Sequence, residues 1–155
     1  MVTLFLIHGF IGSGKTTFSK KLEVKENAVR FTPDEWMIHF YGANPPANMF
    51  SIYHDNIKKM IEAMAIEFLR RGQNVILDYG FWHRHDRDYY RELAKDLGVE
   101  CIMYSMPSDF EVCKERALKR TAEMGEGALF IDENALNKFW DVFEPLGSDE
   151  EFIKI

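Results

Sequence analysis

Residues 2–17 read Val2-Thr3-Leu4-Phe5-Leu6-Ile7-His8-Gly9-Phe10-Ile11-Gly12-Ser13-Gly14-Lys15-Thr16-Thr17. The run 2–8 is continuous, apolar and β-rich, the pattern of a central parallel strand with both faces covered. Residues 9–16 then satisfy G-x-x-x-x-G-K-[ST] in full. Glycines at 9, 12 and 14 let the backbone curl until successive N–H groups point inward as an anion nest. A helix expected over 15–24, with Phe18 and Leu22 on one face, aims the positive end of its dipole at the same place. Lys15 adds a mobile charge for phosphate oxygens, and the Thr16 hydroxyl reaches a divalent cation. Ser13 and Thr17 complete the candidate phosphate-binding set. A chance glycine-rich turn would lack this strand–loop–helix setting. The pattern therefore implies a site for the triphosphate of a purine nucleotide, with ATP and Mg²⁺ expected. No guanine-reading N-K-x-D motif is present, and ATP and GTP are not told apart.

Outward from this loop, strands and helices alternate. A second strand is expected over 28–32, closed by Pro33, then a helix over 34–41 and a loop over 42–48 (GANPPAN). A long helix follows over 49–71, with Tyr53, Ile57, Met60, Ile61, Met64 and Phe68 at three- and four-residue steps and Gly72 as its stop. A third strand (74–78) leads to a helix over 85–97, and a fourth (99–105) to a helix over 109–121 with Ser108 as cap and Glu111 as capping-box partner. A loop over 125–132, a helix over 133–143 and a terminal strand over 151–155 complete the chain. This rhythm predicts one α/β domain over 1–155, a five-stranded, mainly parallel sheet flanked by helices. Ligands of such sheets sit at the carboxyl ends of the strands, so segments 9–17, 33–36 and 78–87 are expected to meet in one crevice.

Composition narrows the function. The formal net charge of −6 disfavours a nucleic-acid-coating role, which needs basic stripes. The apolar start is broken by glycine well short of the roughly 20 residues that span a bilayer, so a cytoplasmic protein without membrane contact is expected. Cys101 and Cys113 read as reduced thiols. His83, His85, Asp86 and Asp88 do not share one helical face and read as a polar helix entrance rather than a metal site.

Five segments, GFIGSGKTT, TPDEW, VILDYGFWHRHDR, CKERALKR and FEPLGSDE, together resemble the small kinase-like P-loop NTPases often labelled "AAA family ATPase", relatives of zeta toxins, chloramphenicol phosphotransferase and the polynucleotide kinase domain. The resemblance implies a nucleoside/nucleotide-kinase-like P-loop fold with a short lid. It implies that Asp34 is the general base for a substrate hydroxyl, the alternative being a helix cap behind Pro33. Asp78 at its strand end would hold Mg²⁺ with Thr16, or else be a turn residue. Arg116 and Arg120, four apart on one helix, resemble lid arginines that cover the triphosphate, with Gly125 and Gly127 supplying mobility; an exposed basic face is the rival reading. Arg87 would contact substrate or phosphate, with Arg84 a neighbour of the same type. Trp36, Met37, Phe40 and Tyr41 would form the acceptor side, and Tyr79, Phe81 and Trp82 either line the pocket or cover the sheet. Glu144, Pro145 and Glu150 match the closing motif without assigned chemistry. Polynucleotide kinases carry an arginine where this chain has Met37, which argues against a nucleic-acid substrate. The implied function is ATP-dependent phosphotransfer to a hydroxyl of a small molecule. A nucleotide-gated regulatory ATPase is the alternative, and a polynucleotide 5′-hydroxyl kinase a more distant one.

Overall fold

The computed structural model describes residues 1–123 and 129–155. At its centre lies β1 (Thr3–His8), buried at every position, which accounts for its unbroken apolar run. β3 (Asn74–Gly80) and β4 (Glu100–Ser105) flank β1 in parallel. β2 (Ala28–Phe31) adds beyond β3 and β5 (Ile153–Lys154) beyond β4, giving the all-parallel order β2-β3-β1-β4-β5. Parallel neighbours need crossover connections, here containing α1 (Lys15–Lys25), α2 (Pro33–Tyr41), α3 (Phe50–Arg70), α4 (Arg84–Asp96), α5 (Phe110–Glu123) and α6 (Glu133–Val142). The helix after β1 and the helix after its neighbour β3 lie on opposite faces of the sheet, and a crevice opens at the carboxyl ends of β1, β2 and β3.

The period of two along β1 divides the core. Leu4 and Leu6 join Ile57, Ile61 and Leu69 of α3 and Tyr90 and Ala94 of α4. Phe5 and Ile7 point the other way, to Leu22 of α1. A third cluster, Phe10, Cys113, Ala117 and Leu136, lies under the glycine loop. The buried stripe of α3 is Ile57, Ile61, Ala65 and Leu69. Met60 falls off that line and is 58% exposed, so it is not core filler. Both cysteines are free thiols. No described helix is long and apolar enough to cross a membrane.

Two expectations change for reasons that matter to the site. β3 runs past Asp78 to Gly80, because a register shift lets Gly80 pair with His8 and accept from the Gly9 N–H at 3.0 Å. Asp109, not Ser108, caps α5: its Oδ1 accepts from Val112 N at 3.0 Å. Ser108 Oγ instead accepts from Phe10 N (3.1 Å) and donates to Met106 O (3.2 Å), and so serves the glycine loop.

Candidate active site

The loop between β1 and α1 has the curled backbone its glycines imply. Gly12 and Gly14 have φ of 80° and 93°, left-handed values that glycine adopts without a Cβ clash. A Cβ on Gly12 would also stand 2.3 Å from the Cys113 carbonyl oxygen, so α5 packs directly on the loop. Lys15 Nζ donates to the Phe10 carbonyl at 2.8 Å. Burial lowers its pKa, while the nearby Asp78 and Asp34 carboxylates oppose that shift.

Asp78 is buried in β3, two residues before its end. Its Oδ2 accepts from Ser19 Oγ (2.9 Å), Thr16 Oγ1 (3.1 Å) and Thr32 Oγ1 (3.3 Å). The juxtaposed Asp78 carboxylate and Thr16 hydroxyl fit Mg²⁺, a hard cation usually held by one or two carboxylates together with phosphates and water. Among the described residues no group of three or more His, Cys, Asp or Glu could hold a metal, so phosphate and water would have to complete such a shell. Sequence reasoning passed over Ser19 and Thr32. Ser19 lies one helical turn after Thr16, a spacing that was visible; the approach of Thr32 depends on the β2–β3 pairing.

A cavity of about 400 Å³ opens at these strand ends, and it brings together Gly12, Gly14, Lys15, Thr16, Thr17, Asp34, Asp78 and Arg120. Asp34 lies in the first turn of α2, whose N-cap position is Thr32. As a residue Asp34 is exposed, but its carboxyl group lies within the cavity. Desolvation there raises its pKa, while Lys15 and His54 pull the other way. Burial lowers the pKa of His54 on α3, and Asp34 opposes this. His54 was not expected at the site. Nothing at its position in the sequence distinguishes it from other polar residues on α3.

Of the expected site residues, Gly9, Ser13, Trp36, Arg87 and Arg116 are not on the cavity wall. Arg116 is exposed and off the cavity wall, whereas Arg120, one turn on, is part of it. Trp36 packs between Phe31 and Phe40, with ring centroids 6.2 Å from each. Two residues beyond Asp34 on a helix, it points away from the cavity. Ser13 is buried beneath the loop, so that a Cβ on Gly9 would come 2.6 Å from its Oγ. Arg87 is 1% exposed and is a correction. It donates to Glu150 from Nε (2.9 Å) and Nη2 (2.8 Å), and to the carbonyls of Phe81 (3.0 Å), Trp82 (3.2 Å) and Glu144 (3.2 Å). Its remaining Nη2 donor goes to the Pro145 carbonyl (3.4 Å), so it holds the chain together and leaves no donor for a phosphate. Arg84 likewise pairs with Asp88 and Asp149.

The opposite wall of the cavity is aromatic, formed in part by Phe50, Tyr79, Phe81 and Trp82. Trp82 Nε1 donates to Gly9 O at 3.1 Å, pinning the exit of β3 to the glycine loop. Phe81 holds φ at 48°, a strained value for a bulky side chain that is typical of functional sites. Gly125 and Gly127 of the expected lid lie outside the described residues. Beyond them Leu129 and Ile131 line the cavity, and Phe130 N donates across to Ala43 O at 2.8 Å.

A family profile described as "AAA domain" matches residues 4–146. The chain belongs to this AAA-domain family. Among solved structures, this AAA-domain protein is similar to a provisionally named kinase from Chloroflexus aurantiacus j-10-fl, at 19% identity and a TM-score of 0.78 over 99% of this chain and 87% of that one. A gluconokinase from Sinorhizobium meliloti 1021 follows at 18% identity and a TM-score of 0.65, over 99% and 81%. A chain of the Pnkp1/Rnl/Hen1 RNA repair complex matches at 25% identity and a TM-score of 0.71, over 91% of this chain but 43% of its own length. Comparison with curated proteins returns no match. The fold is thus that of the kinase-like P-loop NTPases, and the AAA-domain chain is a P-loop kinase or ATPase.

Proposed function

We propose that the protein transfers the γ-phosphoryl group of ATP to a hydroxyl of a small-molecule acceptor. The observation that carries this reading is the convergence, in one cavity, of the glycine loop with Lys15, the Thr16–Asp78 pair and Asp34. Loop amides and Lys15 bind the β- and γ-phosphates, and Arg120 covers the transferring group. Asp78 and Thr16 would hold Mg²⁺, which when bound neutralises charge on the phosphates. Asp34 takes the proton of the acceptor hydroxyl. The freed oxygen bonds to the γ-phosphorus while the bond to the β–γ bridging oxygen breaks, and ADP leaves. The upward shift of the Asp34 pKa makes the carboxylate a better proton acceptor. A small acceptor suits the cavity volume, and a gluconokinase among the structural relatives supports that size class.

The test is ADP formation with and without candidate hydroxyl compounds, in the wild type and in Asp34→Asn. Transfer should fall by about 10²-fold or more in the variant, with the affinity for ATP unchanged. Unaltered turnover would remove Asp34 from the mechanism. Phosphate release that no acceptor accelerates would point to a regulatory ATPase, and salt-sensitive oligonucleotide binding to a polynucleotide kinase.

A further inference from the structure

Phe50, His54 and Lys58 face the cavity from one stripe of α3, at successive four-residue steps. His54 lies close enough to Asp34 for each to shift the other's proton affinity. Lys58 stands one turn further on, about 6 Å along the helix, with Nζ 5.5 Å from the centroid of the Tyr79 ring. The other two lysine or arginine side chains on the wall, Lys15 and Arg120, belong to the phosphate half. Two wall carboxylates are engaged elsewhere: Glu35 pairs with Arg30 at 3.1 Å and Asp86 with His85 at 3.3 Å. Among the described residues Lys58 forms no ion pair. Beside it the Tyr79 ring packs on that of Phe81 at 5.3 Å and 14°, and because Phe81 is itself buried, the apolar face next to Lys58 is that of Tyr79. Lys58 is half-buried as a residue, and its ammonium beside the Tyr79 ring can be met by an anionic group through charge-assisted hydrogen bonds.

We propose that the acceptor is a small hydroxylated compound bearing an anionic group, a carboxylate or a phosphate ester. Lys58 binds that group while the hydroxyl meets Asp34 and the body of the molecule lies against the Tyr79 ring. The proposal rests on the phosphotransferase reading and makes Lys58 the specificity residue. Its test uses protein saturated with Mg²⁺ and a non-hydrolysable ATP analogue, with thermal melts confirming that each variant is folded. Hydroxy-carboxylates and phosphomonoester alcohols, each paired with its neutral amide or dephosphorylated form, are titrated and followed by saturation-transfer NMR. Charged members should bind at least about tenfold more tightly than their neutral partners. Lys58→Met should erase that preference and Lys58→Arg restore most of it. The charged series that responds more strongly tells carboxylate from phosphate. Equal binding of charged and neutral forms, or a preference that survives Lys58→Met, overturns the proposal and leaves phosphotransfer standing. If the analogue binds but no compound of either kind does, the acceptor reading fails together with the proposal.

Discussion

Asp34 and Gly12 show how much a single residue decides here. The walls around Asp34 raise its pKa, and it must be ionised to accept a proton. Activity should therefore rise with pH through a value above the ordinary carboxylate range near 4. A pH–kcat profile should show that acid limb in the wild type and lose it in Asp34→Asn. Gly12 and Gly14 both hold positive φ, but only Gly12 meets the backbone of α5. Gly14→Ala adds strain of about 1 kcal/mol in space where the nearest atom lies 3.7 Å away. Gly12→Ala adds a clash with a carbonyl that cannot swing aside. Thermal melts should therefore show a much larger loss for Gly12→Ala, and calorimetry should show its nucleotide binding lost.

The elements depend on one another through a few long-range bonds. Arg84 N at the start of α4 donates to Glu144 Oε2 at 2.6 Å, so the cap of this helix comes from 60 positions away in sequence. Arg87 and Glu150, each 1% exposed as side chains, tie α4 to the segment that leads into β5, and Arg91 adds a third bond to Glu150 at 2.7 Å. Removing one partner of such a buried pair costs about 3–5 kcal/mol. Arg87→Met should lower stability by that order in urea unfolding, and replacing Glu150 by Leu as well should recover part of it. Nucleotide affinity of folded Arg87→Met should match the wild type, an outcome that a phosphate-contacting arginine would not give.

For the whole molecule, two buried groups lower stability as pH falls, while the raised pKa of Asp34 acts the other way. Burial lowers His8 from 6.5 to about 4, with the Glu144 carbonyl opposing. Its folded value lies below its unfolded one, so the unfolded chain binds the proton first. The contribution is complete above pH 6.5, falls as pH drops from 6.5 to about 4, and is gone below that. That difference amounts to about 3 kcal/mol. Burial pushes Glu150 up, but bonds from Arg87, the Gly147 N–H and Arg91 outweigh it and hold the carboxyl well below its usual 4.5. That stability is present above the usual value and lost as pH falls towards the lower one. Urea midpoints of the wild type and His8→Phe should be compared from pH 7 to pH 4, and the variant should lose the part of the fall that lies between 6.5 and 4.

Local sequence was enough for the α/β alternation, the phosphate loop and the strand-end positions of Asp34 and Asp78. Hydrophobic period and glycine placement act over a few neighbouring residues, and an all-parallel sheet sends its strand ends to one edge whatever their partners. It could not assign Arg87, Trp36 or Ser108. An arginine at a helix start looks the same whether it faces a phosphate or a glutamate 63 positions on, and the difference lies in how the chain from 144 to 150 folds back. His54 and Lys58 enter the site only because α3 crosses beside the exit of β3 with that one stripe inward. The choice between two such placements is made by packing between distant segments, which only the assembled tertiary structure contains.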